Sequence, residues 1–249
     1  MHGNVCQFYP PQLKKEYVAG NDNKHLTQFK QIILKKFPKA YYALFDKKDI
    51  TISLTSYPAR IKTVHKTIET LLKQTIPANR IVLWLAPEQF PNKENDLPRP
   101  LLELKNKGLI INWYHDICSY KKIIPALKEY PNSFIVTADD DLIYDKFWLE
   151  DLLFCHAIDP NTIWIHRGKK ITFKNGGIIP YKKWKFSQHK EKKSILTLPN
   201  SGAGVLYPPN CFHKDIFSED VIAPLIVLAI YIVLRISCLL IPSQKSFTD

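Results

Sequence analysis

The sequence predicts an α/β fold built on a mainly parallel, doubly wound sheet, and three observations predict it. Four short apolar runs, beginning at Asp49, Ile81, Leu109 and Phe134, are separated by segments with helical periodicity. That β-α-β-α-β-α-β order favours parallel strands joined by helical crossovers. The fourth run, Phe134-Ile135-Val136-Thr137-Ala138, stops at Asp139, Asp140 and Asp141, and ligands of such sheets gather at the carboxyl ends of the strands. A chain of 249 residues, 45% hydrophobic and 23% charged, is long enough and apolar enough for one such domain.

Residues 1–47 are polar, Lys-rich and interrupted by Pro10, Pro11 and Pro38. They read as an N-terminal extension in which Leu26–Leu34 forms a short amphipathic helix. The first strand, Asp49–Ser56, has period-two character and ends in a loop at Tyr57-Pro58. Helical spacing over Ile61–Lys73 puts Ile61, Val64, Ile68, Leu71 and Leu72 on one face. Ile81–Leu85 is a second buried strand, and the four prolines between Pro87 and Pro100 mark a loop. Leu101–Lys107 is helical with Gly108 as its stop, and Leu109–Trp113 is the third strand. A helix over Lys121–Glu129 accommodates Pro125 near its start. Another is expected from Phe147 to Cys155.

Three adjacent carboxylates repel one another, so a fold that gathers them has reason to bind a cation. An oxygen-only donor set suits Mg²⁺ or Mn²⁺. The simpler alternative is a solvated turn in which one Asp caps the next helix. Thr162–Ile165 is a further strand candidate. Gly176-Gly177 predicts a turn between two antiparallel strands. Pro199–Pro209 is a small-residue loop running into an apolar segment; it lacks the ending of a P-loop, so an ATP site is not predicted.

The 35 Lys and Arg exceed the 23 Asp and Glu by twelve, which favours an acidic partner: a nucleotide diphosphate, anionic lipid or nucleic acid. Nucleic acid is set aside, because the chain carries no recognised binding motif. Five widely spaced cysteines form no CxxC pair, which fits reduced thiols in the cytoplasm. Met1–Tyr9 shows no secretory leader. A cytoplasmic protein is expected, with association to the inner face of the membrane open.

Four stretches carry a resemblance to a known family: Ile52–Arg60, Ser119–Leu127, Ala138–Asp141 and Ser201–Pro209. Through them the chain resembles bacterial glycosyltransferases of the GT-A fold, similar to family 2 and related transferases acting on cell-surface polysaccharide. The resemblance implies a metal-dependent transfer of a sugar from a nucleotide-sugar donor to a glycan or lipid-linked acceptor. It implies that Thr55, Tyr57 and Arg60 hold the nucleotide. Asp139 and Asp141 would bind Mn²⁺ or Mg²⁺, with Asp140 beside them, and Lys121 or Lys122 would offset phosphate charge. Ser201, Gly202 and Gly204 would line the sugar and acceptor side.

Two departures qualify the resemblance. The acid that often follows the second strand in this family is missing, Glu88 being the nearest candidate. The catalytic base would have to be Glu219 or Asp220, immediately before an apolar stretch, Val221–Ile241, that is long enough to span a membrane. The resemblance thus divides the chain into an extension (1–47), a GT-A-like domain (48–220) and an apolar tail (221–249). The tail is read as a membrane anchor, an altered terminus or a buried helix. A degenerate protein that keeps only the nucleotide-binding fold stands as the rival function, and a nucleotidyltransferase as a third.

Overall fold

The computed structural model describes residues 23–46, 48–187, 194–217 and 238–240. The elements run α1 (Asn23–Lys36), α2 (Pro38–Ala43), β1 (Ile50–Thr55), α3 (Val64–Leu71), β2 (Arg80–Leu85), α4 (Arg99–Glu103), β3 (Leu109–Trp113), α5 (Ile124–Glu129), β4 (Phe134–Thr137) and α6 (Trp148–Ile158). Short strands follow: β5 (Ile163–Ile165), β6 (Gly168–Lys170), β7 (Phe173–Lys174), β8 (Gly177–Ile178), β9 (Thr197–Pro199), β10 (Val205–Tyr207) and β11 (Cys238–Leu240). The described residues fall into two compact units, one from 48–150 and 201–235, the other from 1–47, 151–200 and 236–249.

In the first unit the strands lie in the order β10-β4-β1-β2-β3. β1 to β4 are parallel, with Ile52 opposite both Ile81 and Val136. The expected α/β class is therefore the one observed. The period-two character of β1 has a different meaning from a half-exposed strand, because Thr51 and Ser53 are as buried as Ile52 and Leu54. A central parallel strand is covered on both faces, so its polar atoms need internal partners. Thr51 meets the Ser133 hydroxyl at 2.8 Å, and the Trp84 indole donates to Ser53 Oγ at 2.9 Å.

Val64, Ile68 and Leu71 form the buried stripe of α3, with Ile61 buried just before it. The helix is shorter than its apolar pattern suggests, since Tyr57–Thr63 is a series of turns. Leu101 and Leu104 are also fully buried, and Gly108 ends its segment at φ +104°, the left-handed stop a glycine permits. Pro125 sits in the first turn of α5, where its missing N–H is harmless.

Among the described strands of this unit only β10 runs against its neighbour, with Val205 opposite Thr137 and Tyr207 opposite Ile135. The start of β10 therefore lies beside the end of β4. That register delivers the residues preceding β10 to the acidic turn.

In the second unit β5 pairs with β11 in parallel, while β6–β9 and β7–β8 are antiparallel. Asn175 at φ +51° and Gly176 at φ +76° form the two-residue hairpin turn between β7 and β8. Lys30 of α1 and Asp151 of α6 form a buried ion pair at 2.5 Å, and the rings of Phe29 and Tyr41 pack against Phe154, the first edge-on and the second tilted. Of the apolar tail, Cys238–Leu240 is strand; the rest lies outside the described residues. Among the described residues no helix is long and apolar enough to cross a membrane.

Ile68→Ala should cost about 2–5 kcal/mol, because it opens a cavity beside a sealed sheet. Gly176→Ala, where an added Cβ meets nothing within 4 Å, should cost only about 1 kcal/mol of backbone strain. Urea unfolding of the two variants checks this ranking, and the reverse order would contradict it.

Candidate functional site

The acidic turn lies where β4 ends, and each of its carboxylates faces a different environment. Asp140 is buried, its side chain 6% exposed. It accepts hydrogen bonds from Ser56 Oγ at 2.6 Å and from Arg60 at 2.9 Å, one on each oxygen. Its backbone carbonyl accepts from Thr67 Oγ1 of α3 at 3.1 Å. Asp140 therefore ties the turn to the loop after β1. Asp139 and Asp141 are more open, their side chains 36% and 44% exposed. Lys122 pairs with Asp139, and the guanidinium that holds Asp140 also reaches Asp141 at 2.9 Å. The hydrogen bond to Asp140, helped by the charge of Asp141, pushes Arg60 above its usual range. The turn is thus an alternation of acids and bases drawn from three segments of the chain.

The small-residue loop is fixed onto this turn by three donors to three successive carbonyls. Thr137 Oγ1 donates to the carbonyl of Ser201 at 2.9 Å, Tyr144 Oη to that of Gly202 at 2.5 Å, and Trp148 Nε1 to that of Ala203 at 2.8 Å. Tyr144 also accepts the backbone N–H of Asp139 at 2.7 Å. Its one hydroxyl joins the acidic turn to the glycine loop. Burial, reinforced by the charges of the three aspartates, pushes the Tyr144 phenol far up, so it remains a donor.

Gly202 has a further constraint. A Cβ built there would lie 1.6 Å from Asp139 Oδ2 and 2.1 Å from its Cγ. The carboxylate rests on the bare Cα, and no other residue fits without moving it. Gly204, at φ +120°, takes a backbone conformation that side chains rarely adopt.

The remaining sequence candidates divide. Tyr57 is exposed, and the Arg60 guanidinium lies 5.5 Å from its ring. Thr55 Oγ1 donates to the carbonyl of Trp84 at 2.8 Å, joining β1 to β2. Lys121 and Lys122, adjacent in sequence, go to different partners. Lys122 meets the acidic turn, whereas Lys121 is buried against Asp116. Asp116 also accepts from Gln89 Nε2 at 2.7 Å and from the backbone N–H of Cys118 at 2.9 Å. The hydrogen bond from Lys121 holds its carboxyl below the usual range. Glu219 and Asp220 lie outside the described residues.

Sequence reasoning missed Ser56, Asp116, Tyr144 and Trp148. Ser56 stands inside a stretch that drew attention for other residues, and Tyr144 follows three residues after the acidic turn. No local pattern could name their partners, which lie 84 and 58 positions away.

A hard divalent cation fits this turn as an ion shared with a ligand. Asp139 and Asp141, partly exposed and each paired with one cation, are the carboxylates that could share it, and one or two carboxylates completed by substrate phosphates is a common Mg²⁺ arrangement. Among the described residues no group of three or more His, Cys, Asp or Glu side chains could enclose an ion without such help.

No family model and no curated protein matches the chain. Solved structures similar to it include S. aureus TarS 1–349 in complex with UDP-GlcNAc, at 19% identity and TM-score 0.48, covering 80% of this chain and 57% of that one. A second is the mannosyltransferase PcManGT from Pyrobaculum calidifontis in complex with GDP-Man and Mn²⁺, at 13% identity and TM-score 0.39, covering 60% and 46%. A third is a 4-diphosphocytidyl-2C-methyl-D-erythritol synthase, at 10% identity and TM-score 0.47, covering 81% and 94%. The chain thus spans less than two thirds of the first two. Scores this low carry no argument about function; the fold rests on the strand order, and the site on its own geometry.

Gly202→Ala should displace Asp139 and unfold the protein several degrees earlier in a thermal melt, whereas Ser201→Ala, which keeps the carbonyl bonded to Thr137, should barely move it. Asp116 has a lowered folded pKa, so its contribution is present above the ordinary value of 3.8 and is lost as pH falls through the depressed value. Asp116→Asn should therefore lower stability at neutral pH and flatten the acid limb of stability against pH. An unchanged acid limb would contradict that assignment.

Proposed function

We propose that the protein is a glycosyltransferase that moves a sugar from a nucleotide-sugar onto a glycan or lipid-linked acceptor with the help of Mn²⁺ or Mg²⁺. One observation carries the reading: half-open Asp139 and Asp141 stand among Arg60 and Lys122 at the carboxyl ends of parallel strands. A surface that presents acids and bases together suits neither a bare anion nor a bare cation. It suits a diphosphate with its counter-ion, because phosphate oxygens can take the guanidinium and ammonium while the ion takes the carboxylates. The resemblance carried by Ile52–Arg60, Ser119–Leu127, Ala138–Asp141 and Ser201–Pro209 points the same way.

In this reading Tyr57 lies against the nucleotide base, and Arg60 and Lys122 bind the diphosphate. Asp140 is a positioning residue that aims Arg60. Lys121 serves the loop after β3 through Asp116 and leaves phosphate charge to Lys122. The Ser201–Gly204 loop forms the floor on the sugar side. When bound, the divalent ion supplies charge neutralisation of the departing diphosphate. The acceptor hydroxyl attacks the anomeric carbon, the bond from that carbon to the diphosphate oxygen breaks, and Glu219 or Asp220 takes the proton, with inversion of configuration.

A second reading has one observation in its favour. Arg60 and Lys122 already pair with all three carboxylates of the acidic turn, so a chain that merely retains the fold would need no ion to hold it together.

A screen of nucleotide-sugars with and without Mn²⁺, scored for donor hydrolysis and sugar transfer, separates the two. The transferase reading expects turnover with one donor class that falls at least about a hundred-fold in Asp141→Ala, the scale of losing a transition-state electrostatic contact. Folded protein that neither binds nor turns over any donor would contradict it. Donor binding without turnover would favour the retained fold.

A further inference from the structure

Most of the net positive charge of the chain sits in one short segment. Between Arg167 and Ser187 there are seven Lys and Arg and no Asp or Glu, which amounts to seven of the twelve net positive charges. This segment, with Ile195 shortly before β9, also shows five large apolar side chains between 46% and 64% exposed: Phe173, Ile178, Tyr181, Phe186 and Ile195. Solvated lysines alone would account for the charge. They do not account for aliphatic and aromatic side chains standing in water among them.

The local structure explains how both kinds are displayed. Phe173 and Ile178 are directly opposite in the β7–β8 pair, so they project from the same side of the hairpin. The Asn175-Gly176 turn closes that hairpin. Farther along, the Lys169 ammonium lies 4.1 Å from the Tyr181 ring and 5.2 Å from the Phe186 ring, with the Arg167 guanidinium 4.3 Å from Phe186. Lys182, Lys183 and Lys185 are exposed around them. Buried Trp184 anchors the run, its indole donating to the carbonyl of Ile179 at 2.7 Å.

We propose that this segment is a docking face for an anionic lipid surface. Charge complementarity names the sign of the partner: cations within a Debye length of acidic headgroups are drawn to them. The exposed Phe, Ile and Tyr side chains distinguish a bilayer from a soluble polyanion. A membrane interface accepts apolar side chains and headgroup-level aromatics together with lysines. A polyphosphate or sulfated glycan has no apolar phase for Phe173, Ile178 or Ile195 to enter. The face belongs to the other compact unit from the acidic turn, and the inference stands independently of the donor reading.

The test is sedimentation of the full chain with vesicles of phosphatidylcholine alone and of phosphatidylcholine mixed with phosphatidylglycerol, at low and high salt. Binding is expected only to the mixed vesicles and should weaken as salt rises. Lys182→Gln with Lys183→Gln should lower partitioning about thirty-fold. Phe173→Ser with Ile178→Ser should lower it about ten-fold or more. All four positions are exposed, so circular dichroism and the thermal melt should stay unchanged and report folding separately. The proposal is overturned if the full chain ignores mixed vesicles. It is equally overturned if both double variants bind as before, which would assign binding to another segment such as the apolar tail. Vesicle binding that needs the lysines but not Phe173 and Ile178, with soluble heparin bound as well, would make this a polyanion site instead.

Discussion

Three carboxylates at the end of one buried strand set the terms for half of this protein. Two like charges about 4 Å apart repel by roughly 4 kcal/mol at a partly buried site, a sizeable share of the 5–15 kcal/mol that holds a typical domain together. The chain meets that repulsion by bringing partners from separate segments. Arg60 comes from the turns after β1, Ser56 from the end of that strand, and Lys122 from the turn before α5. Each partner is useful only where the parallel order β4-β1-β2-β3 places it. The acidic turn is therefore both a consequence of the topology and a lock on it.

The glycine loop is the second lock. Because β10 runs antiparallel to β4, the residues before it arrive at the acidic turn, and Thr137, Tyr144 and Trp148 take their carbonyls in sequence. Backbone groups tied in this way cannot relax when a neighbour changes. That rigidity makes the contact between Gly202 and Asp139 informative: the carboxylate has been given a definite position, and the space for a side chain opposite it has been removed.

Much of the fold was legible in the sequence because its signals are local. The apolar runs of β1 to β4, the Gly108 stop, the Pro125 helix start and the Gly176 turn each follow from a few neighbouring residues. The candidate site was legible only in part. Asp139, Asp140, Asp141 and Arg60 announce themselves by type, but their division of labour does not. Asp140 turns inward because Ser56 and Arg60 are there to donate to its two carboxylate oxygens, and that depends on pairing β1 with β4. The divergence of Lys121 from Lys122 depends on Asp116, beyond the end of a different strand. The burial of Thr51 and Ser53 was hidden for the same reason: alternation looks alike whether the second face meets water or hydroxyl and indole partners.

The central claim is that this turn, besides being paired within the protein, remains open to a diphosphate and its metal. Phosphorus NMR of a nucleoside diphosphate with substoichiometric Mn²⁺ tests it most directly, since a paramagnetic ion held at the same site broadens the phosphate resonances. The account predicts that the wild-type protein enhances this broadening beyond that of Mn²⁺ and nucleotide in buffer, and that Asp139→Asn with Asp141→Asn, folded, abolishes the enhancement. Broadening that is the same with and without the protein would contradict it.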